Sequence, residues 1–284
     1  MAITQGIIFG LITMLGWGAA KVIVRPAIRR LGPYNALFYE HIVVALALIL
    51  ISAPFISPFV PGTRILALLA GAIIIGSLAI YSLFRAFDKG KVSVTSPIAQ
   101  SATIITVVLS YFIYNESLSL LQIFAVILLI IGVIFVSFKY SDIRKLRLKS
   151  TVPGAGFAAL TMLGWGLYFF MIKPVVVELG PLLSVVYLEV GISVLIAVPL
   201  LFRKVRLPDR SVVYTLFSGI AVALAAWSFN MGIQRAPVSI VHPVANSSVL
   251  ITVLLSAVFL RERIDSNQKI AICLIIAGLV LVSI

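Results

Sequence analysis

Ten stretches of about 20 predominantly apolar residues follow one another along this chain, separated by short polar connections. A helix needs roughly that length, about 17–25 residues, to cross the hydrocarbon core of a bilayer. The mean hydropathy is +1.19 and only 11% of the residues are charged. Because no soluble core of this size could bury so much apolar surface, the pattern predicts an all-α integral membrane protein. The ten predicted spans are 3–24, 34–53, 64–86, 94–114, 121–138, 154–173, 181–202, 211–233, 240–260 and 268–284.

The basic residues divide unequally between the two sides of these spans. Eighteen of the 22 lysines and arginines fall on the side reached after the odd-numbered spans. Such residues accumulate in cytoplasmic loops, so this side is predicted to be cytoplasmic and both termini to lie on the non-cytoplasmic side of the cell or inner membrane. The net charge of +13 has the same origin, and nucleic acid is not an expected partner. The eighteen are Arg25, Arg29, Arg30, Arg85, Lys89, Lys91, Lys139, Arg144, Lys145, Arg147, Lys149, Arg203, Lys204, Arg206, Arg210, Arg261, Arg263 and Lys269.

The two halves of the chain carry matching residues in the same order. The string TMLGWG occurs at 13–18 and again at 161–166, and Leu-Gly-Pro at 31–33 recurs at 179–181. Shared hydrophobic composition alone would not align Trp, Pro, Gly, Glu and Gln, so the halves are predicted to be internal repeats. Further matched pairs are Pro26 with Pro174, Tyr39 with Tyr187, Val92-Ser93 with Val238-Ser239, Pro97 with Pro243, Ser101 with Ser247, Glu116 with Glu262, Gln122 with Gln268 and Gly132 with Gly278.

Each repeat contains five predicted spans, and an odd number of spans inverts the second repeat relative to the first. The predicted organisation is a first five-helix repeat over 1–140, a basic cytoplasmic linker over 141–153 and a second five-helix repeat over 154–284. Inverted repeats are typical of secondary transporters, which hold the substrate near the midplane between their halves. Since one chain contains both halves, a monomer would be sufficient.

This pattern resembles a known family. Gly-Trp-Gly at 16–18 and 164–166, and the run from Pro97 to Glu116 with its counterpart from Pro243 to Glu262, look like those of the EamA-type permeases of the drug/metabolite transporter superfamily. The resemblance covers about residues 6–140 and 154–284. It implies a transporter of a small polar metabolite such as an amino acid or amine, often an exporter, although family members also exchange sugar phosphates and nucleotide sugars.

Ionisable residues inside the spans predict a coupling site. Charged groups in the hydrocarbon cost about 2.5–3.5 kcal/mol each by insertion scales, so they usually face the bundle interior or water. Glu189 lies within span seven, and Glu40 and His41 lie within span two, where a carboxyl or an imidazole can load and release a proton. The alternative role is to fix helix packing. Lys21 in span one is expected to snorkel or pair with another residue, or else to counter an anionic substrate.

A second polar set predicts the binding cavity. His242 and Asn246 are four residues apart and share a helix face beside Pro243, where irregular backbone is tolerated only next to protein or water. The alternative is interhelical hydrogen bonding. Aromatic residues in this set could contact an amine through cation–π interactions or only pack. The predicted substrate-binding residues are Trp17, Tyr81, Gln100, Trp165, Tyr168, Trp227, Asn230, His242 and Asn246.

Other residues have structural interpretations. Glu116 and Glu262 lie at span ends on opposite faces, and predict helix caps or gate latches. Gly6 and Gly10 form a GxxxG pattern, which favours close helix packing. Pro97 and Pro243, inside spans four and nine, are predicted to bend or break those helices.

Motifs of other function classes are missing from the sequence. There is no GxxxxGK[ST] string of an ATP-driven pump and no HExxH string of a metalloenzyme, so neither catalysis nor a metal or other cofactor is expected. Cys273 is the single cysteine and cannot form a disulfide within the chain. Two alternatives to a proton-coupled transporter stay open: an exchanger of phosphorylated metabolites, and a scaffold or lipid-binding subunit that transports nothing.

Overall fold

The structure is a computed structural model that describes residues 2–55, 59, 61–89, 95, 98–137, 153–202, 209–259 and 264–284. Every regular element within these residues is helical. A short 3-10 helix covers Val198–Leu201. The α-helices are α1 (Ala2–Ile23), α2 (Arg25–Leu31), α3 (Pro33–Ser52), α4 (Thr63–Lys89), α5 (Ala102–Ile113), α6 (Leu120–Val136), α7 (Ala155–Leu179), α8 (Pro181–Ala197), α9 (Val212–Arg235), α10 (Val238–Asn246), α11 (Ser248–Phe259) and α12 (Ser266–Ser283).

Apolar helices of membrane-spanning length make up most of the described chain. Seven stretches are long and apolar enough to cross a bilayer. Three more apolar helices, Ile98–Ile113, Leu120–Val136 and Pro181–Ala197, are shorter. Large apolar side chains also point away from the protein core, with Leu50 73% exposed and Phe112 71% exposed. The protein is therefore an integral membrane protein with several spans.

Two of the predicted spans are interrupted: span four at Ser101, and span nine, which consists of α10 and α11, at Ser247. Span one corresponds to α1, and a turn at Val24 separates it from α2, which lies beyond the predicted end at residue 24. Ser247 donates its N–H and its hydroxyl to the carbonyl of Pro243, at 3.1 and 2.9 Å. The predicted break in span nine is thus confirmed, whereas Pro97 and Glu262 lie outside the described residues.

The sixth span is longer than predicted because its helix continues through a proline. The prediction ended at residue 173, but α7 runs through Pro174 to Leu179. Proline has no N–H to donate to the carbonyl four residues before it, which here is that of Phe170. The Tyr114 hydroxyl donates to this carbonyl at 2.7 Å, so the missing helical bond is replaced from another helix.

The repeated Leu-Gly-Pro strings begin equivalent helices. Gly32 and Gly180 have φ values of +83° and +76°, which favour glycine, and each precedes a proline at the first helical position. The carbonyls of these glycines accept the N–H of Ala36 and Ser184 at 3.1 and 3.2 Å. The same local signal therefore turns the chain into α3 and into α8.

The repeated glutamines complete helix caps. Gln122 forms a capping box with Ser119 at the start of α6, and Gln268 forms one with Asp265 at the start of α12. The Gln268 side chain also donates to the carbonyl of Val136 at 3.0 Å, at the end of α6. The Gln268 bond joins the start of α12 to the end of α6.

Threonine side chains join the halves through matched hydrogen bonds. Each donates from one half of the chain to a backbone carbonyl of the other half, and the bonds occur in pairs at corresponding positions of the two repeats. The bonds run from Thr13 to Ala225 at 3.1 Å, from Thr161 to Ala79 at 3.3 Å, from Thr252 to Gly18 at 3.1 Å and from Thr106 to Gly166 at 3.1 Å.

Glycines allow the close approach of helices from different halves. A Cβ added to Gly6 would lie 2.3 Å from the Cβ of Ala236, and one added to Gly10 would lie 3.0 Å from a methyl carbon of Val244. The close packing predicted from GxxxG is therefore confirmed. Gly132 packs in the same way against Ile275, where α6 meets α12.

Candidate functional site

Five aromatic rings pack together where α1, α7, α9 and α10 meet. The His242 ring lies 4.3 Å from that of Phe169 and 6.0 Å from that of Phe229, measured between centroids. Trp17 packs against both phenylalanines, at 5.7 and 5.5 Å. Tyr168 meets Phe169 edge-on at 5.1 Å. We call Trp17, Tyr168, Phe169, Phe229 and His242 the aromatic cluster; it takes one ring from the first half and four from the second.

His242 is the polar centre of the aromatic cluster. The residue is only 2% exposed, and its Nδ1 has no hydrogen-bond partner among the described residues. A buried polar atom without a partner loses the hydrogen bonds it would make to water, which costs about 1–3 kcal/mol. Aromatic faces attract cations and stack on planar groups, while an imidazole nitrogen can accept or donate a hydrogen bond. The cluster has the chemistry to hold a small polar or cationic solute.

Asn246 lies one turn from His242 and connects α10 to the first half. Its side-chain amide donates to the Gln100 carbonyl at 3.2 Å and to the Thr103 hydroxyl. Gln100 and Asn246 are both predicted substrate-binding residues, and the structure brings them into contact across the two halves. The contact uses the backbone of Gln100, whose residue is buried.

Asn230 and Trp227 lie on α9 but contact α8 and α3. The amide of Asn230 donates to the Ser184 hydroxyl at 3.1 Å and to the Pro181 carbonyl at 3.5 Å, at the start of α8. Trp227 packs against a cluster that includes Val44 and Val185. The indole nitrogen of Trp227 is buried and has no partner in the described part of the chain.

Trp165 and Tyr81 lie outside the ring contacts of the aromatic cluster. Trp165 is half-buried on α7. Tyr81 is 39% exposed and lines a cleft of about 200 Å³ together with Arg85, Phe84 and the beginning of α3. The guanidinium of Arg85 lies 5.7 Å from the ring centroid of Phe157. Tyr81 is thus at a cleft at one end of the bundle, away from His242.

The ionisable residues of spans two and seven come together where α3 packs on α8. The Glu40 carboxylate accepts a hydrogen bond from Ser218, and Glu189 interacts electrostatically with Glu40. The His41 Nδ1 contacts the Leu37 carbonyl at 3.1 Å. Since a carbonyl can only accept, this contact places the proton on Nδ1. The Ser193 hydroxyl donates to the His41 carbonyl at 2.9 Å, which joins the two helices.

Electrostatics also link this acidic group to the aromatic cluster. Glu189 interacts with the hydroxyl of Tyr168, which belongs to the cluster. Glu40 and His41 are 8% and 7% exposed, so two of the three ionisable residues are buried.

Lys21 is held by a contact between the halves. Its Nζ donates to the Ser248 hydroxyl at 3.0 Å, at the start of α11. This hydrogen bond connects α1 to α11 beside the Thr252–Gly18 bond. Neither snorkelling nor an ion pair is needed to account for the position of Lys21.

Sequence reasoning missed Phe169 and Phe229, which form the walls of the aromatic cluster. The chain contains 17 phenylalanines in mostly apolar surroundings, and nothing in the sequence distinguishes these two. It also did not single out Thr103 or Lys173. Within the described residues, no group of three His, Cys, Asp or Glu side chains is arranged to hold a metal ion.

The described chain is a helical membrane protein, and the aromatic cluster at its centre contains rings from both halves of the chain. The model of the EamA-like transporter family matches residues 4–138 and again 152–284, so the chain belongs to that family. An uncharacterized protein of Methanocaldococcus jannaschii is 30% identical over 131 residues, which are 45% of this chain and 93% of that protein. A solved crystal structure superposes with a TM-score of 0.79 at 16% identity, covering 98% of this chain and 96% of the other, which shows a shared fold.

Proposed function

We propose that this protein is a secondary transporter that moves a small polar metabolite, such as an amino acid or amine, by alternating access. One observation carries the proposal: the buried His242, with an unpartnered Nδ1, lies among aromatic rings supplied by both halves of the chain. A scaffold gains nothing from an unsatisfied polar atom at its centre, whereas a solute can supply the missing partner. Membership of a transporter family supports the same conclusion.

We infer a bundle of ten spans built as two inverted five-helix repeats. The paired threonine bonds support this organisation, since Thr13 to Ala225 in one direction corresponds to Thr161 to Ala79 in the other. The two family matches support it too, as does a relative whose matched length is about half of this chain. In such a bundle the halves can rock against each other around a fixed site.

The substrate-binding residues remain those predicted, with the aromatic cluster at their centre. His242 would bond a polar group of the solute, while Trp17 and Tyr168 would contact its apolar or cationic part. Gln100 and Asn246 adjoin the cluster through their mutual contact. We assign Tyr81 to the entrance cleft. Trp165 on α7, and Trp227 and Asn230 on α9, would change their contacts as the halves move.

We propose a proton as the coupling ion, carried by the carboxylates of Glu189 and Glu40 with His41 beside them. Two carboxylates that interact cannot both be charged without a penalty, so one of them tends to hold a proton. Solute binding at the cluster and proton binding at this pair would then influence each other through Tyr168. Export from the cytoplasm is the direction that the family resemblance favours.

The contact of Lys21 gives the exchange of phosphorylated metabolites less support than the transport of an amine or amino acid. Such an exchanger needs cations deep in the bundle that are able to meet a phosphate. The Lys21 ammonium is instead directed to Ser248. We therefore keep this candidate only as an outcome of the transport assay.

The test is uptake into proteoliposomes of a panel of amino acids, quaternary amines and sugar phosphates, with and without a pH gradient. We expect gradient-stimulated uptake of an amine-bearing solute, reduced about tenfold or more by His242→Ala, which corresponds to at least 1.4 kcal/mol of lost binding. Ser256→Ala is the matched control, because it removes another buried and unpartnered polar atom outside the cluster. Equal losses in both variants, or no loss with His242→Ala, would contradict the assignment.

Coupling is tested with Glu189→Gln in the same vesicles. The variant should fold and bind solute, but it should lose accumulation driven by the pH gradient, because an amide cannot carry a proton. Glu178→Gln, an exposed residue near the end of α7, should behave like the unmodified protein. Normal accumulation by Glu189→Gln would exclude Glu189 as the coupling residue.

A further inference from the structure

The connection between α5 and α6 reaches across to the second half. Asn115 has a φ of +50°, a left-handed conformation that turns the chain sharply after α5. Just before it, the ring of Tyr114 stacks on that of Phe170 at 4.8 Å, and its hydroxyl bonds the carbonyl that Pro174 leaves without a helical donor.

Just after this turn, Glu116 caps a helix of the other half. Its carboxylate accepts the backbone N–H of Val238 at 2.7 Å and that of Ser239 at 3.0 Å, and it also accepts the Ser239 hydroxyl. These N–H groups are the first of α10 and have no partner within the helix. A negative charge at this end also complements the helix dipole. The first half therefore holds the start of α10 by three charge-assisted hydrogen bonds.

Lys173 caps the end of the helix that precedes α10. Its ammonium donates to the carbonyl of Ile233 and, at 3.1 Å, to that of Ala236. These carbonyls belong to the last turn of α9 and to the residue after it. Lys173 and Glu116 are close enough to interact electrostatically. The α9–α10 connection is thus clamped at both of its ends by opposite charges.

We propose that Glu116, Lys173 and the α9–α10 connection form the gate that closes one face of the transporter. We call them the Glu116 latch and the corresponding end of the bundle the Glu116 face. α10 carries His242, only three residues beyond Ser239. When the carboxylate leaves the α10 N-terminus, this end of α10 is released from the first half, and the aromatic cluster can open toward the Glu116 face. The inference rests on the proposed function and adds the device that controls access.

The opposite end of the bundle has a different character. The cleft at Tyr81 and Arg85 lies beside Gly32, where α3 begins, and Arg85 contacts Phe157 near the start of α7. Lys173 is near the other end of α7. The described structure therefore combines a latched Glu116 face with a cleft on the opposite face, as expected of a transporter closed on one side. By the proposed orientation, the Glu116 face is the non-cytoplasmic one.

Thiol labelling tests the latch without knowledge of the solute. Val241→Cys, in a Cys273→Ser background, puts a reporter at a fully buried position beside His242. A membrane-impermeant thiol reagent is applied to the reconstituted protein from the Glu116 face and, separately, from the opposite face. We expect Glu116→Gln and Lys173→Met each to raise the labelling rate from the Glu116 face by about tenfold, equivalent to 1.4 kcal/mol. Labelling from the opposite face should not rise.

Three further variants separate the latch from general loosening. Glu178→Gln removes an exposed carboxylate from the same end of α7 and should leave both labelling rates unchanged. Glu116→Asp keeps the charge, so its labelling rate should lie between that of Glu116→Gln and that of the protein with the unmodified latch. If the two residues act as one clamp, their effects are not independent. The labelling rate of the double variant Glu116→Gln/Lys173→Met should then rise by less than the product of the two single increases.

The results have distinct meanings. Unchanged labelling in Glu116→Gln and Lys173→Met, or an equal rise from both faces, would overturn the latch. If labelling rises from the Glu116 face alone while no solute is transported by any variant or by the unmodified protein, the latch stands and the proposed transport function fails. If transport is normal and labelling does not change, the function stands and the latch fails.

Discussion

At the scale of single residues, polar side chains in this protein are directed at backbone carbonyls of other helices. Thr13 bonds Ala225, Lys173 bonds the carbonyls of Ile233 and Ala236, and Tyr114 bonds the carbonyl released by Pro174. The short side chain of Thr13 needs the two backbones to approach closely, which small residues permit. The packing of single glycines is therefore as important to the fold as the polar contacts are.

Gly18→Ala tests this dependence. A Cβ at position 18 would lie 2.5 Å from the Cβ of Ile251 and 2.7 Å from the carbonyl oxygen of Ser248, neither of which can move freely. We expect the free energy of unfolding to fall by about 1–3 kcal/mol, as in other overpacked interiors. Thermal unfolding in detergent measures the change. Gly156→Ala is the control, because nothing lies within 4 Å of its added Cβ. Equal stability of the two variants would show that α1 does not pack as described.

Important residues are easier to predict from the sequence than the contacts they make in the folded protein. His242 and Asn246 could be placed on one helix face by their spacing, and both lie where that spacing implies. Their environments differ, since Asn246 is bonded to Gln100 and Thr103 while His242 has an unpartnered Nδ1. Spacing gives the face of a helix, but only the packing of several helices decides whether a polar atom finds a partner.

At the scale of elements, matched residues of the two repeats form the same local structure but differ in their surroundings. Gln122 and Gln268 both complete capping boxes, which the sequence match did not reveal. Gln268 is buried and bonds Val136, whereas the cap around Ser119 and Gln122 is exposed. The two repeats therefore start these helices with the same capping motif. The matched contacts differ in burial, and so in how much they stabilise the protein.

This difference predicts unequal effects of one substitution. Gln268→Ala should lower the free energy of unfolding by about 1–3 kcal/mol more than Gln122→Ala, because it leaves the buried Val136 carbonyl without a donor. Denaturant titration of the two purified variants provides the comparison. A larger loss in Gln122→Ala, or no difference between them, would contradict the described contact between α6 and α12.

The element boundaries that the sequence failed to predict have physical causes. Proline at 174 favours the end of a helix, but α7 continues because Tyr114 supplies the lost hydrogen bond from α5. Pro26 follows a division between α1 and α2 instead. The two matched prolines thus have different effects on their helices. The effect of Pro174 depends on the Tyr114 hydroxyl, which is far away in the sequence.

At the scale of the whole molecule, the contacts fix which helix ends share a face. Gly6, near the start of α1, packs on Ala236, which belongs to the Glu116 latch connection. α12 begins beside Val136 at the end of α6, and so it ends where α6 begins, close to Glu116. Both termini therefore lie on the Glu116 face of the bundle.

The distribution of basic residues predicts that this face is non-cytoplasmic. Epitope tags on the N- and C-termini should both be removed by protease added to intact spheroplasts, and a cytoplasmic control protein should survive. This expectation follows from the positive-inside rule, because eighteen lysines and arginines lie on the opposite side of the predicted spans. Protection of both tags would reverse the proposed orientation, and protection of one tag alone would contradict an even number of spans.

In alternating access, the aromatic cluster is reached from both faces of the membrane in turn. This is tested by labelling Val241→Cys, in the Cys273→Ser background, with an impermeant thiol reagent from each side. Gly156→Cys and Glu178→Cys, at exposed positions toward opposite ends of α7, verify that the reagent acts on each face. We expect labelling of Val241→Cys from either side, with modification from one side preventing modification from the other. Labelling from one face only, or from neither while both controls react, would contradict alternating access at this site.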